Sequence, residues 1–520
     1  MEADIISKNG YNTKSQLNRG YFIRFVVALF AMGIVFAACD DKEQEQNDVD
    51  TGEKENLPPS NFETYIDNIS YNSVTIRWDE AIDPEGGTVV YTIHLDGSVI
   101  AENISQLNYT FTGLNELTNY SGRIIAMDYQ RNETFNIFSF TTEKFYLKYL
   151  KKFDYGKGDV WPYSHGSPYS MIKTKDLNYL IAGKSSRPDG NGYQFFVLKI
   201  DYDGNEIWKK FYDYQIGDSW KFKITESSTG FLLVGHHHIL NIDDNGSLIW
   251  YKKIDSYDIA DASAEIRSIK QDSHGNIFFV GGRGSEKLGV AQEGVVTKLD
   301  GLGNTLWEKT FISEEHNFFY DLLITPSEEL VVLGHAPFRD EYHIERSDFW
   351  VYKLSNEGVE IWCNKYGDDR FDFPSQIILK SNGNYVFAGH SLDNRSGYYT
   401  NAGRIFEIDK DGNEIMNIST SLSCIYSIAE TTDNGFITTG SMEYGGYIYY
   451  DLGIFKFDVH GNEEWHQIHS ETFTDLVGWS VLTEDDGGYR IAGNQSKIWY
   501  YDDEKPELLV YKTDHLGNHK

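Results

Sequence analysis

A ten-residue segment recurs from Lys144 to the C terminus, and it constrains the fold more than any other feature of the chain. Each copy joins an apolar stretch to a turn of the form Asp-x-x-Gly, with Ser replacing Asp once. Asp and Gly favour tight turns, so each copy is expected to connect two antiparallel strands. The seven copies are KIDYDGNEIW (199–208), NIDDNGSLIW (241–250), KLDGLGNTLW (298–307), KLSNEGVEIW (353–362), EIDKDGNEIM (407–416), KFDVHGNEEW (456–465) and the shortened KTDHLGN (512–518).

A second repeated element is an apolar strand that ends in glycine, and an alternating segment such as EIRSIKQDS (265–273) precedes it. The seven glycines are spaced 46 to 55 residues apart, at Gly183, Gly235, Gly281, Gly334, Gly389, Gly440 and Gly493. Four short strands in each period predict a β-propeller. Alternation predicts strands with two different faces, and a recurrent glycine indicates a close approach of backbones near the crowded axis.

The two ends of the repeat region are expected to complete one blade together. The last copy stops at Lys520 without a fourth strand, whereas YLKKFDYG (149–156) is similar to WKKFYDYQ (208–215), with Tyr149 in the place of Trp. A ring of sheets leaves unpaired edges unless its first and last blades share strands. The sequence therefore predicts a seven-bladed propeller over residues 144–520, closed by a strand swap.

The last position of the repeated segment is expected to have a structural role. A buried Trp removes on the order of 200 Å² from water, so we expect these side chains to pack between neighbouring blades rather than to bind a ligand. The residues concerned are Trp208, Trp250, Trp307, Trp362, Met416 and Trp465.

The N-terminal residues have the layout of an export signal. Basic residues precede the apolar run FVVALFAMGIVFAA (25–38), which ends at Cys39 and is short for a membrane span. The junction FAAC resembles a bacterial lipobox, which implies a signal peptide over residues 1–38 and lipidation of Cys39. An ordinary signal peptide followed by an incidental cysteine is the alternative. Residues 39–57 are acidic, lack apolar periodicity and are expected to form a disordered tether.

The charge of the chain excludes several partners. A formal net charge of −33 argues against nucleic acid and against anionic membrane surfaces, so membrane contact is expected only through the lipid anchor. The electrostatic field of this negative charge also repels polyanionic ligands, unless a local basic pocket overrides it. Acidic residues directly after Cys39 resemble the surface-export signal of Bacteroidota lipoproteins, which implies a surface-exposed protein of the outer membrane.

Residues 58–142 resemble a fibronectin type III domain. The resemblance covers the whole segment and is carried by Trp78 on the second strand, Tyr91 on the third, and Leu114, Leu117 and Tyr120, which are spaced like a tyrosine corner. It implies a β-sandwich. In an exported bacterial protein such a domain is expected to act as a spacer rather than as a binding module.

The loops of the repeat region predict where a ligand binds. Connections of one kind are tight turns, such as DSHGN (272–276), whereas the others are long, irregular and rich in aromatic residues and Arg. Variable loops on a rigid scaffold commonly carry binding sites, and aromatic rings and Arg suit a carbohydrate or a peptide-like ligand. The alternative is that Tyr side chains fill the loop cores. The candidate ligand-binding residues are Trp161, Trp220, Phe338, Arg339, Arg346, Arg395, Tyr398, Tyr399, Tyr447, Trp499 and Tyr500.

No catalytic residue, metal site or cofactor is predicted. His236, His335 and His390 each follow a strand-two glycine, but equivalent points on different blades are too far apart to share a metal, so a structural hydrogen bond is expected. One of these His side chains with a nearby Tyr could alternatively act as base and acid on a uronic acid sugar. The repeat resembles the tryptophan-docking repeat of quinoprotein-like propellers, whose cofactor residues have no counterpart here.

The layout as a whole resembles surface lipoproteins of Bacteroidota, many of which capture polysaccharides. The resemblance implies a non-catalytic, monomeric binding protein at the cell surface, with a polysaccharide as the expected ligand. A polysaccharide lyase or glycoside hydrolase is one alternative, since both chemistries occur on propellers. A scaffold that binds another surface protein is the other.

Overall fold

The computed structural model describes residues 55–154, 168–189, 192–216, 221–254, 263–285, 290–311, 318–339, 345–368, 370–393, 400–443, 450–472, 474–497 and 507–520. These ranges contain strands and no helix, which confirms the prediction of an all-β protein. Accordingly, no described segment is a helix with the length and apolarity needed to cross a membrane. The chain divides into two compact units, one built mainly from the first seven strands and the other mainly from Thr141–Lys520.

The smaller unit contains two sheets with strand orders β1-β2-β5 and β4-β3-β6-β7. Alternate side chains point inward from both sheets, and Ile76, Ile93 and Ile124 are fully buried. Trp78 and Tyr91, two residues that carry the resemblance to a fibronectin type III domain, are buried and pack edge to face, with ring centroids 5.5 Å apart. The strands are β1 (Thr64–Ile69), β2 (Ser73–Trp78), β3 (Val90–Leu95), β4 (Ser98–Ile104), β5 (Asn108–Thr112), β6 (Asn119–Met127) and β7 (Glu133–Thr141).

The larger unit is built from seven antiparallel meanders of four strands. Its strands are β8 (Tyr149–Asp154), β9 (Pro168–Lys173), β10 (Tyr179–Ser186), β11 (Tyr193–Ile200), β12 (Glu206–Ile216), β13 (Phe222–Ser227), β14 (Gly230–Gly235), β15 (His238–Ile242), β16 (Leu248–Lys253), β17 (Ser263–Gln271), β18 (Ile277–Ser285), β19 (Val290–Leu299), β20 (Thr305–Phe311), β21 (Phe318–Ile324), β22 (Leu330–Arg339), β23 (Glu345–Leu354), β24 (Glu360–Tyr366), β25 (Phe371–Leu379), β26 (Tyr385–Asp393), β27 (Thr400–Ile408), β28 (Glu414–Thr420), β29 (Cys424–Glu430), β30 (Phe436–Glu443), β31 (Tyr450–Phe457), β32 (Glu463–His469), β33 (Thr474–Thr483), β34 (Tyr489–Lys497) and β35 (Glu507–Thr513).

Six meanders follow the chain in order, from β9–β12 (meander 1) to β29–β32 (meander 6). Meanders 4 and 5 are joined into one eight-stranded sheet by a single parallel pair, Ser347 opposite Phe371. Meander 7 combines β33, β34 and β35 with β8 from the start of the unit. Strand β8 pairs antiparallel with β35, as the sequence predicts, and Tyr149 lies opposite Lys512.

Apolar side chains between the meanders form seven buried clusters, and each cluster draws on two meanders that are neighbours in sequence or, in one case, on the first and the last. That last cluster contains Met171 and Phe196 of meander 1 with Ala492 and Leu508 of meander 7. Each meander begins with a strand that we call its first strand, and these are β9, β13, β17, β21, β25, β29 and β33. Each first strand contacts the next one along the chain, and β33 also contacts β9.

The fourth-strand aromatic residues pack on the glycine turn of the next meander. A Cβ atom added to Gly246 would lie 2.9 Å from the Trp208 ring, and Gly303 faces Trp250 in the same way. Tyr149 covers Gly204 of meander 1, so it takes the place that Trp has elsewhere. The predicted packing of these side chains between neighbouring repeats is confirmed.

The second-strand glycines lie against the first strands. A Cβ atom at Gly281 would lie 1.8 Å from the carbonyl oxygen of Glu265, and one at Gly440 would lie 1.8 Å from that of Cys424. Opposite the glycine the first strand contains one extra residue, a β-bulge, in six of the seven meanders. The predicted close approach of backbones is therefore confirmed. The extra residues are Tyr169, Arg267, Tyr320, Ser375, Tyr426 and Trp479.

We expect Gly440→Ala to destabilise the larger unit by about 3 kcal/mol, because the new methyl group must displace the backbone of β29. Gly301→Ala is the matched control, since its Cβ atom would meet nothing closer than 3.3 Å. Urea unfolding followed by tryptophan fluorescence measures both. Equal stability of the two variants would contradict the role assigned to this glycine.

Candidate functional site

A cavity of about 480 Å³ is the best candidate for a functional site, and the bulged first strands supply much of its wall. Its described lining residues include the extra residues of five strands, from β17 to β33. The lining consists of Lys221, Arg267, Tyr320, Phe373, Pro374, Ser375, His390, Tyr426, Ser441, Tyr450, Val477 and Trp479. A volume of this size suits a small ligand or part of a polymer.

Hydrogen bonds between neighbouring first strands hold this wall in place. In five cases a polar side chain accepts a hydrogen bond from a backbone N–H of the next first strand. The side chain belongs to the residue directly after the bulge. Because these bonds recur at the same level, they fix the first strands relative to one another. The pairs are Ile224 N to Ser170 Oγ at 3.3 Å, Ile377 N to Asp321 Oδ2 at 3.1 Å, Ile428 N to Gln376 Oε1 at 3.0 Å, Val481 N to Ser427 Oγ at 3.1 Å and Met171 N to Ser480 Oγ at 3.2 Å.

Asp321 makes more of these contacts than the other side chains at this level. Besides the bond from Ile377, its carboxylate accepts a hydrogen bond from Ser268 Oγ at 2.6 Å and lies 3.5 Å from Lys223 Nζ. The side chain is buried, so it would be costly without these partners. Asp321 thus links β13, β17, β21 and β25.

One side of the cavity is cationic. Arg267 donates through Nε and Nη2 to one oxygen of Glu265, at 3.1 and 2.7 Å. Its guanidinium carbon also lies 4.0 Å from the ring centre of Phe318 and 4.1 Å from that of Tyr320. Lys221 Nζ lies 5.7 Å from the same Tyr320 ring. A partly buried guanidinium held by a carboxylate and two rings is a fixed donor group.

The ammonium group of Lys221 is expected to lose its proton near neutral pH. Burial, reinforced by the positive charges of Arg267 and Lys223, lowers the pKa of Lys221 to about 7, while Asp321 and Glu265 oppose this shift. The site therefore holds a lysine that is protonated in only part of the molecules at pH 7. A bound anion would favour the protonated form.

The other side of the cavity is aromatic. The rings of Tyr426 and Trp479 lie 4.4 Å apart between centroids and are inclined by 30°. Trp479 Nε1 donates to Asn494 Oδ1 at 2.6 Å, which fixes the indole. Tyr450 completes this side. Ordered aromatic faces of this kind can stack against the apolar face of a sugar ring.

His390 also lines the cavity. Its ring stacks on Phe373, with centroids 5.0 Å apart and planes inclined by 16°. Burial and the charge of Lys221 lower the pKa of His390 to about 4, so the imidazole is neutral at pH 7. Its Nδ1 atom is buried and has no hydrogen-bond partner in the described chain. A buried polar atom without a partner is uncommon in folded proteins and marks this position as unusual.

The described lining residues include none of the candidate residues predicted on the loops. Most of them lie outside the described residues, and for three only the backbone is described. Phe338 and Arg339 end β22, and Phe338 is paired with Arg346 of β23. The residues outside the described ranges are Trp161, Trp220, Arg395, Tyr398, Tyr399, Tyr447, Trp499 and Tyr500, together with the predicted lipidation site Cys39.

The predicted structural hydrogen bond of the three equivalent histidines is not found at Nδ1. This atom has no hydrogen-bond partner in His236, His335 or His390 within the described chain, and only His390 lines the cavity. The first strands beside His335 and His390 contain the same bulge, whereas the strand beside His236 contains none. His335 has a hydrogen bond with the backbone of Asp372, so the three equivalent positions do not share one set of partners.

One group of metal-ligand type lies elsewhere among the described residues, where ligand atoms of Asp272, His274 and Glu328 come within 4.8 Å of one another. Asp272 Oδ1 accepts the backbone N–H groups of His274 and Asn276, at 3.0 and 2.7 Å. Turn capping accounts for this arrangement, and we assign no metal to it.

The sequence contains a signal for the cavity residues that the loop argument missed. A large side chain directly before a polar residue occurs as Arg267-Ser268, Tyr426-Ser427 and Trp479-Ser480, each shortly before a second strand that ends in glycine. The first residue of each pair is the bulge, and the second makes contact with a neighbouring first strand. Strand alternation alone does not reveal this, because a bulge changes the face on which a residue lies.

No protein-family model and no curated protein matches the sequence. Solved structures similar to the chain include a protein of unknown function from Dyadobacter fermentans, with 9% identity over 70% of this chain and 99% of that one and a TM-score of 0.39. The extracellular domain of a putative one-component system from B. thetaiotaomicron has 9% identity, coverage of 88% and 52%, and a TM-score of 0.41. A Penicillium chrysogenum alpha-L-arabinanase complexed with arabinobiose has 11% identity, coverage of 66% and 93%, and a TM-score of 0.35. At these low TM-scores the similarities support no conclusion about ligand or activity.

We expect Lys221→Met to stabilise the protein by about 1 to 3 kcal/mol at pH 6, because the buried charge is removed. The folded-state pKa of about 7 lies below the ordinary value of 10.5, so the unfolded chain binds more protons between these values. The cost of the wild-type lysine is therefore full below pH 7 and disappears as the pH approaches 10.5. Urea unfolding at pH 6 and pH 9.5 measures the difference. A gain independent of pH would contradict the assignment.

Proposed function

We propose that the chain is a surface lipoprotein of the outer membrane in which a fibronectin type III-like spacer over residues 58–142 precedes a closed seven-bladed propeller over residues 144–520. The spacer assignment is supported by its seven strands, arranged as three and four. The closed propeller is supported by the pairing of β8 with β35 and by the buried cluster that meanders 1 and 7 share. Residues 1–38 are the signal peptide, and residues 39–57 form the tether.

The function that the cavity supports best is non-catalytic binding of a carbohydrate. The observation that carries this proposal is that the paired rings of Tyr426 and Trp479 line the same cavity, of about 480 Å³, as the polar side chains of Arg267 and His390. Sugars need both kinds of surface, because their rings have apolar faces and a polar rim. The described lining contains no carboxylate, so it lacks the pair of carboxyl groups that a typical glycoside hydrolase uses.

A polysaccharide lyase is the second candidate, and the unpartnered Nδ1 of the neutral His390 favours it. In β-elimination a base removes the proton beside the carboxylate of a uronic acid, the bond from C4 to its oxygen breaks, and a C=C bond forms. An acid then protonates the departing oxygen. His390 could serve as the base and a Tyr of the cavity, such as Tyr450, as the acid.

A glycan array with the full chain in detergent tests the proposed function, and we expect at least one class of polysaccharide to bind. Trp479→Ala and Tyr426→Ala should each weaken that binding about tenfold, because one face of the stacking surface is lost. Tyr129→Ala is the control, since this exposed Tyr lies in the spacer.

The same samples show whether the protein is an enzyme. Release of unsaturated products, detected by the ultraviolet absorbance of the new double bond, would replace the binding proposal with the lyase. Binding to no glycan, together with recovery of one surface protein in pull-downs, would favour the scaffold instead. Equal binding by wild type and both aromatic variants would place the site outside the cavity.

The anchor has its own test. Cys39→Ala should move the protein from the membrane fraction to the soluble fraction, because a lipid chain on this residue is the proposed attachment. Cys363→Ser, which changes a cysteine of β24, should leave the distribution unchanged. Mass spectrometry of the N-terminal peptide should show the lipid on Cys39. An unmodified Cys39 in membrane-bound wild-type protein would disprove the anchor.

A further inference from the structure

The cavity has a local charge opposite to that of the whole chain. The formal net charge is −33, yet the described lining residues include the cations Lys221 and Arg267 and no Asp or Glu. Glu265 is paired with Arg267, and both Glu265 and Asp321 act on Lys221, but neither carboxylate is among the described lining residues. The surface that the described residues present to the cavity is therefore cationic, and such a surface attracts an anionic ligand.

We infer that the cavity binds an acidic saccharide, with the anionic group of one sugar between Lys221 and Arg267 and the ring of a neighbouring sugar on Tyr426 and Trp479. This inference rests on the proposed carbohydrate-binding function and names its ligand class. The cations come from meanders 2 and 3 and the aromatic pair from meanders 6 and 7, so one ligand can contact both sides.

The chemistry of the cationic side suits an anionic group such as a carboxylate. The guanidinium of Arg267 is held by Glu265 and by two aromatic rings, so it can donate to an anion without first losing rotational freedom. Lys221 supplies a second positive charge, and His390 Nδ1 adds a polar atom that lacks a protein partner. A uronic acid provides the carboxylate and the ring hydroxyls that these groups recognise.

The inference includes a pH dependence. Lys221 is surrounded by the cations Arg267 and Lys223, the carboxylates of Asp321 and Glu265, the phenol of Tyr320 and the imidazole of His390. Because its charge is present below pH 7 and is lost above it, a carboxylate should bind more weakly as the pH rises through this range. A neutral ligand should not show this loss.

Calorimetric titration of the full chain with trigalacturonate and with its methyl ester tests the inference, because the ester keeps the sugar rings and removes the charge. We expect the acid to bind at least tenfold more tightly than the ester at pH 6. Lys221→Gln should abolish most of this preference, and the preference should shrink at pH 8.5. Lys175→Gln, at a side chain that is 81% exposed, is the matched control.

The possible outcomes separate the two proposals. Equal binding of acid and ester, or a preference that Lys221→Gln leaves intact, would overturn the acidic ligand while carbohydrate binding stands. Binding of neutral oligosaccharides alone would likewise overturn the acidic ligand and leave the proposed carbohydrate binding intact. Tighter binding of a sulfated oligosaccharide than of trigalacturonate would keep the anionic ligand and replace the carboxylate by a sulfate. If no saccharide of either charge binds, the proposed function fails with the inference.

Discussion

The close approach of each second-strand glycine to the first-strand backbone is the contact on which the larger unit depends. At Gly281 and Gly440 no side chain fits, since a Cβ atom would lie 1.8 Å from a carbonyl oxygen. The first strand bulges beside this contact, so one residue turns into the cavity and the next points toward a neighbouring first strand. The same local distortion therefore builds the wall of the cavity and the hydrogen bonds that join the meanders.

The cationic side of the cavity carries a cost in stability, which the proposed binding of an anion would offset. Burial and two neighbouring cations lower the pKa of Lys221, which means that its charge costs free energy in the absence of a ligand. The fold reduces the corresponding cost at Arg267 through Glu265 and the rings of Phe318 and Tyr320. The positive charge of Lys221 does not stabilise the fold. A charge of this kind is expected at a site that binds an anion.

The sequence predicts the strands of the larger unit well, because their signals are local and repeated. The Asp-x-x-Gly turns, the second-strand glycines and the place of Tyr149 in the last sheet all follow from short spacings. The cavity could not be predicted in the same way, because its residues depend on register. Tyr426 and Trp479 lie on strands whose alternation places them on the wrong face until the bulge is known. The loop residues, in contrast, were predicted from the length, irregularity and aromatic content of the loops, and most of them lie outside the described residues.

Meander 2 departs from the repeat, and this departure concentrates charge at the cavity. Strand β13 pairs with β14 without a bulge, and Gly235 lies against the Phe222 ring instead of a carbonyl. Because residues two apart share a face of a regular strand, Lys221 and Lys223 both point to the same side. Lys221 lines the cavity, and Lys223 reaches past meander 3 to Asp321 of meander 4. In meanders 3 to 7 the extra residue of the bulge lines the cavity, and the next residue makes the contact between strands. In meander 2 a lysine lines the cavity and a second lysine makes the contact between strands. The repeat that lacks the bulge therefore adds positive charge at one part of the cavity.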